Sequence, residues 1–187
     1  MAAWSDGSCL YRGPRDYIWC TMPALYYINV TVHLLAALLW LGGMFFLAVV
    51  GAPALRAIES PALRQQLFQE LGVRFRAVGW WAIGVLVVTG IMNLHYRGWL
   101  RWHGVLDSAA FWRTAAGQSL GLKLTAVTAM IVVSAVHDFW IGPMAGKLPP
   151  GSAEAAAARR AAALLARINA VLGLVVVVAA VQLARGV

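Results

Sequence analysis

The chain has 187 residues, of which 61% are hydrophobic and only 12% charged, with a mean hydropathy of +0.73. That is more apolar surface than one soluble domain can bury, which excludes an ordinary globular protein and identifies an integral membrane protein. The net charge of +8 comes from basic residues at the ends of apolar runs. Anionic headgroups and snorkelling account for these, and no basic stretch interleaved with aromatics calls for a nucleic acid.

Residues 1–25 contain Gly, Asp and Arg but no continuous apolar core, so they read as an N-terminal tail and not as a cleavable signal peptide. Because Met22 directly precedes Pro23, a start-site extension is the other reading of this tail. It carries both cysteines, Cys9 and Cys20, which would be able to pair on an oxidising face. The membrane domain follows over 26–187.

Four apolar runs, near 26–50, 75–96, 119–141 and 161–184, reach the roughly 20 residues with which a helix crosses a bilayer. The period-two alternation of membrane strands is absent. The predicted fold is all-α: an integral four-helix antiparallel bundle whose short connections make successive helices neighbours.

After the first run, Ser60 and Pro61 supply an N-cap and a first helical residue. Leu63, Leu67 and Leu71 then recur beside Arg64, Gln65, Gln66 and Glu70. This predicts a short amphipathic helix near 61–71, lying on the membrane surface or binding a partner. The second connection, residues 97–118, sets Trp99, Trp102, Phe111 and Trp112 among Arg97, Arg101 and Arg113, the composition of an interfacial aromatic belt. His103 within it reads as a solvated loop histidine. Gly117 and Gly121 form a small-residue pair suited to close helix approach. Ser152 caps an alanine-rich segment, so the fourth helix should start outside the membrane and run into it.

Let X be the face on which the first helix begins and Y the other. Arg56, Arg64, Arg74, Arg76, Lys147, Arg159, Arg160 and Arg167 fall on the Y side; Arg12, Arg15, Arg97, Arg101, Arg113 and Arg185 fall on the X side. The positive-inside rule then favours a cytoplasmic Y face with both termini outside.

The chemistry-bearing residues are the polar ones at membrane depth. His33 stands in a long apolar run, seven residues before Trp40 and the Gly42-Gly43 pair. An imidazole is costly in hydrocarbon, which makes it a functional-site candidate. Helix directions place His33, Lys123, Asn93 or His95, and Gln182 in one layer near X, with Thr89 and Met92 beside them. Arg76, His137, Asp138 and Asn169 form a second layer near Y. Lys123 and His137, 14 residues apart, share a helix face about 21 Å apart in height. Pairing with headgroups or with one another is the plainer reading of both layers. Neighbouring residues diverge by about 100° on a helix, so His137 and Asp138 need not meet.

The ordered set His33, Trp40-Leu41-Gly42-Gly43-Met44-Phe45-Phe46, Pro53-Ala54-Leu55, Arg74-Phe75-Arg76, Thr89-Gly90-Ile91-Met92-Asn93, Leu122-Lys123-Leu124, His137-Asp138-Phe139 with Pro143, and Arg167-Ile168-Asn169 resembles the copper resistance protein D family in its short, four-helix form. The first-helix pattern also resembles the HemJ-type membrane heme proteins. The first resemblance implies copper handling, with uptake or transfer across the bacterial inner membrane. Soft Cu(I) accepts imidazole and thioether ligands, which suggests His33, His95, Met92 and His137 as metal ligands. Cys20 or Met22 would stand at the X mouth, with Met44, Met130 and Met144 along a path to Y. The second resemblance implies heme b, with His33, His95, Lys123 and Asn93 as the cofactor-binding candidates. Asn93 and His95 point about 200° apart, so a single axial ligand on His33, with Lys123 near a propionate, fits better than a bis-histidine heme. A third reading makes the chain an accessory subunit of a larger membrane complex, and a periplasmic copper protein is a further candidate partner. Phosphate-loop, metalloprotease and nucleophile-elbow signatures are absent, which leans against an enzyme.

Overall fold

The computed structural model describes residues 14–100, 105–149 and 151–185, with side chains from residue 24 onward. His103, Arg101 and Trp102 lie outside the described residues, as do the side chains of Cys20 and Met22 and all of residues 1–13. Four helical spans, Ala24–Arg56, Pro61–Tyr96, Ala115–Lys147 and Ala153–Arg185, are long and apolar enough to cross a membrane. Large apolar side chains line their outer faces, Leu38 at 69% exposure and Trp81 at 79% among them. That inverted surface requires lipid around it.

The first span is α1 (Pro14–Phe46), a π-turn at Leu47–Gly51 and α2 (Ala52–Arg56). The third repeats this design with α4 (Ala115–Val136), a π-turn at His137–Ile141 and α5 (Gly142–Lys147). In each, a proline stands two residues beyond the π-turn, at Pro53 and Pro143. A proline ring has no N–H and clashes with the carbonyl four residues back. The wider i→i+5 turn lets the helix continue past that clash. Two spans expected to end near 50 and 141 therefore extend to 56 and 147.

The second span is one unbroken helix, α3 (Pro61–Tyr96), and no separate surface helix exists at 61–71. Ser60 caps it, its hydroxyl accepting from the Leu63 N–H at 3.4 Å. Gly72 is the weak point where a break was conceivable, but a glycine in a helix costs only about 1 kcal/mol. Part of the polar face of the first turns meets the third span, while Gln66 and Glu70 stay exposed and bond each other at 3.4 Å. Gln65 donates to the Leu148 carbonyl at 3.2 Å, and the Gln69 amide lies against Gly146. The fourth span, α6 (Ala153–Arg185), starts at Ser152, whose hydroxyl accepts from the Ala155 N–H at 3.1 Å.

The spans pack as two antiparallel hairpins, α1 with α3 and α4 with α6. They join through α1 against α6 and through the Y end of the third span against α3, whereas α3 and α4 scarcely touch elsewhere. Consecutive helices are thus not all neighbours along their length. Between α1 and α3 the register is fixed by pairs that run in opposite directions: Asn29 with Asn93, His33 with Thr89, Trp40 with Gly79, and Gly43 with Phe75. Between α4 and α6 it is fixed by Met130 with Gly173 and Ser134 with Asn169.

Gly117 and Gly121 serve the loop before α4, not a neighbouring span. A Cβ on Gly117 would strike the backbone carbonyl of Phe111, and one on Gly121 would lie 3.6 Å from the Trp112 ring. Phe111, buried, and Trp99 pack edge to face at 5.2 Å, tying together the described ends of this loop. Gly117→Ala is expected to destabilise the protein by about 1–3 kcal/mol, since a backbone carbonyl cannot swing away as a side chain can. Gly72→Ala, whose Cβ meets nothing within 4 Å, should leave the thermal midpoint of the detergent-solubilised protein unchanged or raised.

Candidate functional site

The X-half site is built around Thr89, a residue 7% exposed on α3. Its hydroxyl donates to the Val85 carbonyl at 2.6 Å, as a helical threonine does when no water is available. A hydroxyl has one proton, so the 2.7 Å contact between Thr89 Oγ1 and His33 Nδ1 must be a hydrogen bond donated by the imidazole. The neutral ring then carries its proton on Nδ1 and its free lone pair on Nε2, which has no protein partner among the described residues. The ring rests against Gly90, where a Cβ would stand 3.7 Å from Cε1.

Asn29, one turn before His33, was not picked out by the sequence reading. It is buried at 5% exposure and donates to the Thr89 carbonyl at 3.1 Å and to Asn93 Oδ1 at 2.9 Å. Its signal in the sequence was the i, i+4 spacing from His33, which puts both on one face. Lys123 on α4 is half-buried and lies within electrostatic reach of His33 and of Arg97 at the C-terminus of α3. Met92 is 40% exposed, and His95 is exposed with its ring edge-on to Tyr96 at 6.2 Å. Gln182 is also exposed.

The middle of the bundle holds Asn169, which donates to Ser134 Oγ at 2.8 Å and to Met44 Sδ at 3.7 Å. One amide thus ties three spans, and its own Oδ1 is buried without a hydrogen-bond partner. Asn169 belongs to this middle level and not to the Y-side layer. Trp40 lies between the levels, its indole 3.5 Å from the position of a Cβ on Gly79.

The Y-half site is centred on the second π-turn. There the Gly142 N–H bonds the His137 carbonyl, and the Asp138 carbonyl would next need a donor from Pro143, which has none. Arg76 of α3 supplies it at 3.0 Å. The Asp138 carboxylate takes the Trp80 indole N–H on Oδ2 at 3.0 Å and meets His137 Nδ1 on Oδ1 at 2.8 Å. The π-turn thereby brings together two adjacent residues that an ordinary helix would splay apart. Arg76 also lies over the Phe139 ring at 5.9 Å. Trp80 was not among the sequence candidates.

Among the described residues no three His, Cys, Asp or Glu side chains converge as a metal cage. The site offers instead single imidazoles at two depths, each with Nδ1 engaged. An open apolar groove of about 570 Å³ runs along α3 past Trp80, Trp81, Gly84, Val85, Val88 and Thr89.

Asp138→Ala removes the acceptors of both Trp80 and His137, which are half-buried, and should cost about 1 kcal/mol for each hydrogen bond lost. The loss would be read as a lowered thermal midpoint in detergent. Asp138→Asn, which keeps an oxygen for Trp80, should lose less, and the Arg76 bond to the backbone carbonyl persists in both.

The model of the copper resistance protein D family matches residues 69–183, starting within α3 and running to the end of α6. The first span, with His33, precedes that segment. An uncharacterized protein of Aquifex aeolicus (strain VF5) is 32% identical over 116 residues, which make up 61% of this chain and 68% of that protein. No solved structure matches the chain. With more than half of its length matched, this four-span membrane chain belongs to the copper resistance protein D family.

Proposed function

We propose that the protein takes up copper ions, or hands them on, across the bacterial inner membrane, with the X face outward and His33 as the first ligand inside the bilayer. The observation that carries this reading is the 2.7 Å contact of His33 Nδ1 with Thr89 Oγ1, from which the tautomer of the ring follows. An imidazole that donates Nδ1–H to a neighbouring group and turns Nε2 free is in the state that a metal-ligating histidine needs.

The cargo's chemistry suits what lies deeper. Cu(I) is soft and accepts imidazole and thioether donors. Met44 Sδ stands in the core beside the unpaired Oδ1 of Asn169, and Met130 is buried near Gly173. His137, its Nδ1 held by Asp138, is the corresponding imidazole on the Y side. Met92 and His95, both exposed at the X end of α3, would act at the rim. Single ligands at successive depths, with no cluster of three His, Cys, Asp or Glu side chains among the described residues, favour a passing ion over a resident one. A periplasmic copper protein on the X face, or a larger membrane complex, would supply or receive the ion.

Anaerobic Cu(I) loading of the purified protein followed by metal analysis tests this. His33→Ala should abolish the bound copper and the cellular copper phenotype together. Thr89→Val, which removes only the acceptor that orients the ring, should weaken copper retention about 10–100-fold. Wild-type copper binding in His33→Ala would overturn the reading. So would a Soret band with a reduced-minus-oxidised α-band in the purified protein, in favour of heme b.

A further inference from the structure

The two hairpins are copies of one design. The π-turns at Leu47–Gly51 and His137–Ile141 stand 90 positions apart, as do Pro53 and Pro143. The same offset pairs Asn29 with Ser119 and Ala36 with Ala126, all four buried, so the first and third spans turn the same face inward. It also pairs Trp40, against Gly79 of α3, with Met130, against Gly173 of α6. Both spans start from X and rise equally per residue, so paired positions stand at equal depth.

The copies differ in their ionisable groups. Lys123 takes in the second the place of His33 in the first, and Leu47 takes in the first the place of His137 in the second. The imidazole near X therefore belongs to one hairpin and the imidazole near Y to the other, 14 residues or about 21 Å deeper. An ion that visits both must change hairpins on the way.

The helix that touches both α4 of its own hairpin and α1 of the other is α6. At the crossing stands Asn169, 5% exposed, whose amide nitrogen donates to Ser134 Oγ at 2.8 Å and to Met44 Sδ at 3.7 Å. Those two acceptors occupy the same place in the two copies, again 90 positions apart. One turn toward X along α6, Gly173 leaves room for Met130, whose Cε lies 3.5 Å from the position of a Cβ. Each hairpin thus brings one thioether to the same stretch of α6. The amide oxygen of Asn169 is buried with no donor, although an unpaired acceptor destabilises the fold. In a low-dielectric interior that oxygen is the negative end of an uncompensated dipole, which suits a cation.

We propose that Asn169 and Met44 form the midway stop at which Cu(I) crosses from the first hairpin to the second, an inference that rests on copper as the cargo. The thioether supplies the soft donor, and the amide oxygen faces the positive charge that lipid cannot stabilise. The ion keeps its oxidation state and no proton moves. Binding exchanges the N–H···S bond for a metal–sulfur bond, while Asn169 stays fixed on Ser134.

The test is anaerobic Cu(I) entry into proteoliposomes of the full chain with a Cu(I) chelator sealed inside. Met44→Leu keeps the side-chain volume and removes the sulfur; it should slow entry about tenfold or more, while copper retained in detergent through His33 stays at the wild-type level. Met44→Cys loses volume but keeps a sulfur, and should pass copper faster than Met44→Leu, an order that a purely packing role would reverse. Asn169→Leu should slow entry as well. Circular dichroism identifies a variant that fails to fold, and the two Met44 variants then decide. Entry through Met44→Leu at the wild-type rate, or slower entry through Met44→Cys than through Met44→Leu, would overturn the midway stop and leave copper binding at His33 standing. A wild type that neither binds nor admits copper would overturn both.

Discussion

Inside the hydrocarbon there is no water to satisfy a polar atom, so each one must find its partner in the protein. Thr89 is where that constraint organises this molecule. Its only proton goes to Val85, which turns its oxygen into an acceptor and makes His33 the donor. Its backbone carbonyl takes Asn29, and Asn29 also reaches Asn93. Four polar side chains thereby fix the register of α1 on α3, and the tautomer of His33 follows from the same bonds. Glycines opposite Trp40 and Phe75 let the two helices approach along the rest of their length.

The same accounting explains the Y end. Pro143 deprives the Asp138 carbonyl of its helical donor, and Arg76 replaces it from the neighbouring hairpin. A local defect in one helix is thus turned into a bond between two halves of the protein. Trp80 and His137 complete the junction on the Asp138 carboxylate. At the X end, among the described residues, no hydrogen bond joins α3 to α4, and Arg97 of α3 reaches the Leu183 carbonyl of α6 at 3.5 Å. The two hairpins are joined near Y through Asp138 and in the middle through Asn169.

Several features were legible from residue order alone. The spans, the caps at Ser60 and Ser152 and the depth of His33, Lys123 and His137 all follow from hydropathy, from capping chemistry and from a fixed rise per residue. The copper family was legible from motifs strung along the whole chain, a stretch wider than the matched residues 69–183. Asn29 and Trp80 were missed for different reasons. Asn29 is an ordinary polar residue in an apolar run, and its importance lies in partners 60 and 64 positions away. Trp80 has the look of a lipid-facing aromatic, and only the position of Asp138 makes it a donor.

The pattern of polar and apolar residues by itself determined that the chain crosses a membrane as four helices, each antiparallel to the one before it in the chain. Hydropathy and helical rise are one-dimensional properties, so a linear string suffices for them. Rotation about each helix axis is not. Whether His137 meets Asp138, whether 61–71 lies on lipid or on α5, and which pairs of spans touch depend on turns as small as the extra residue of a π-helix. Those rotations are settled by packing and by the shared need of buried donors and acceptors for partners, and only the tertiary structure holds the two sides of each bond at once.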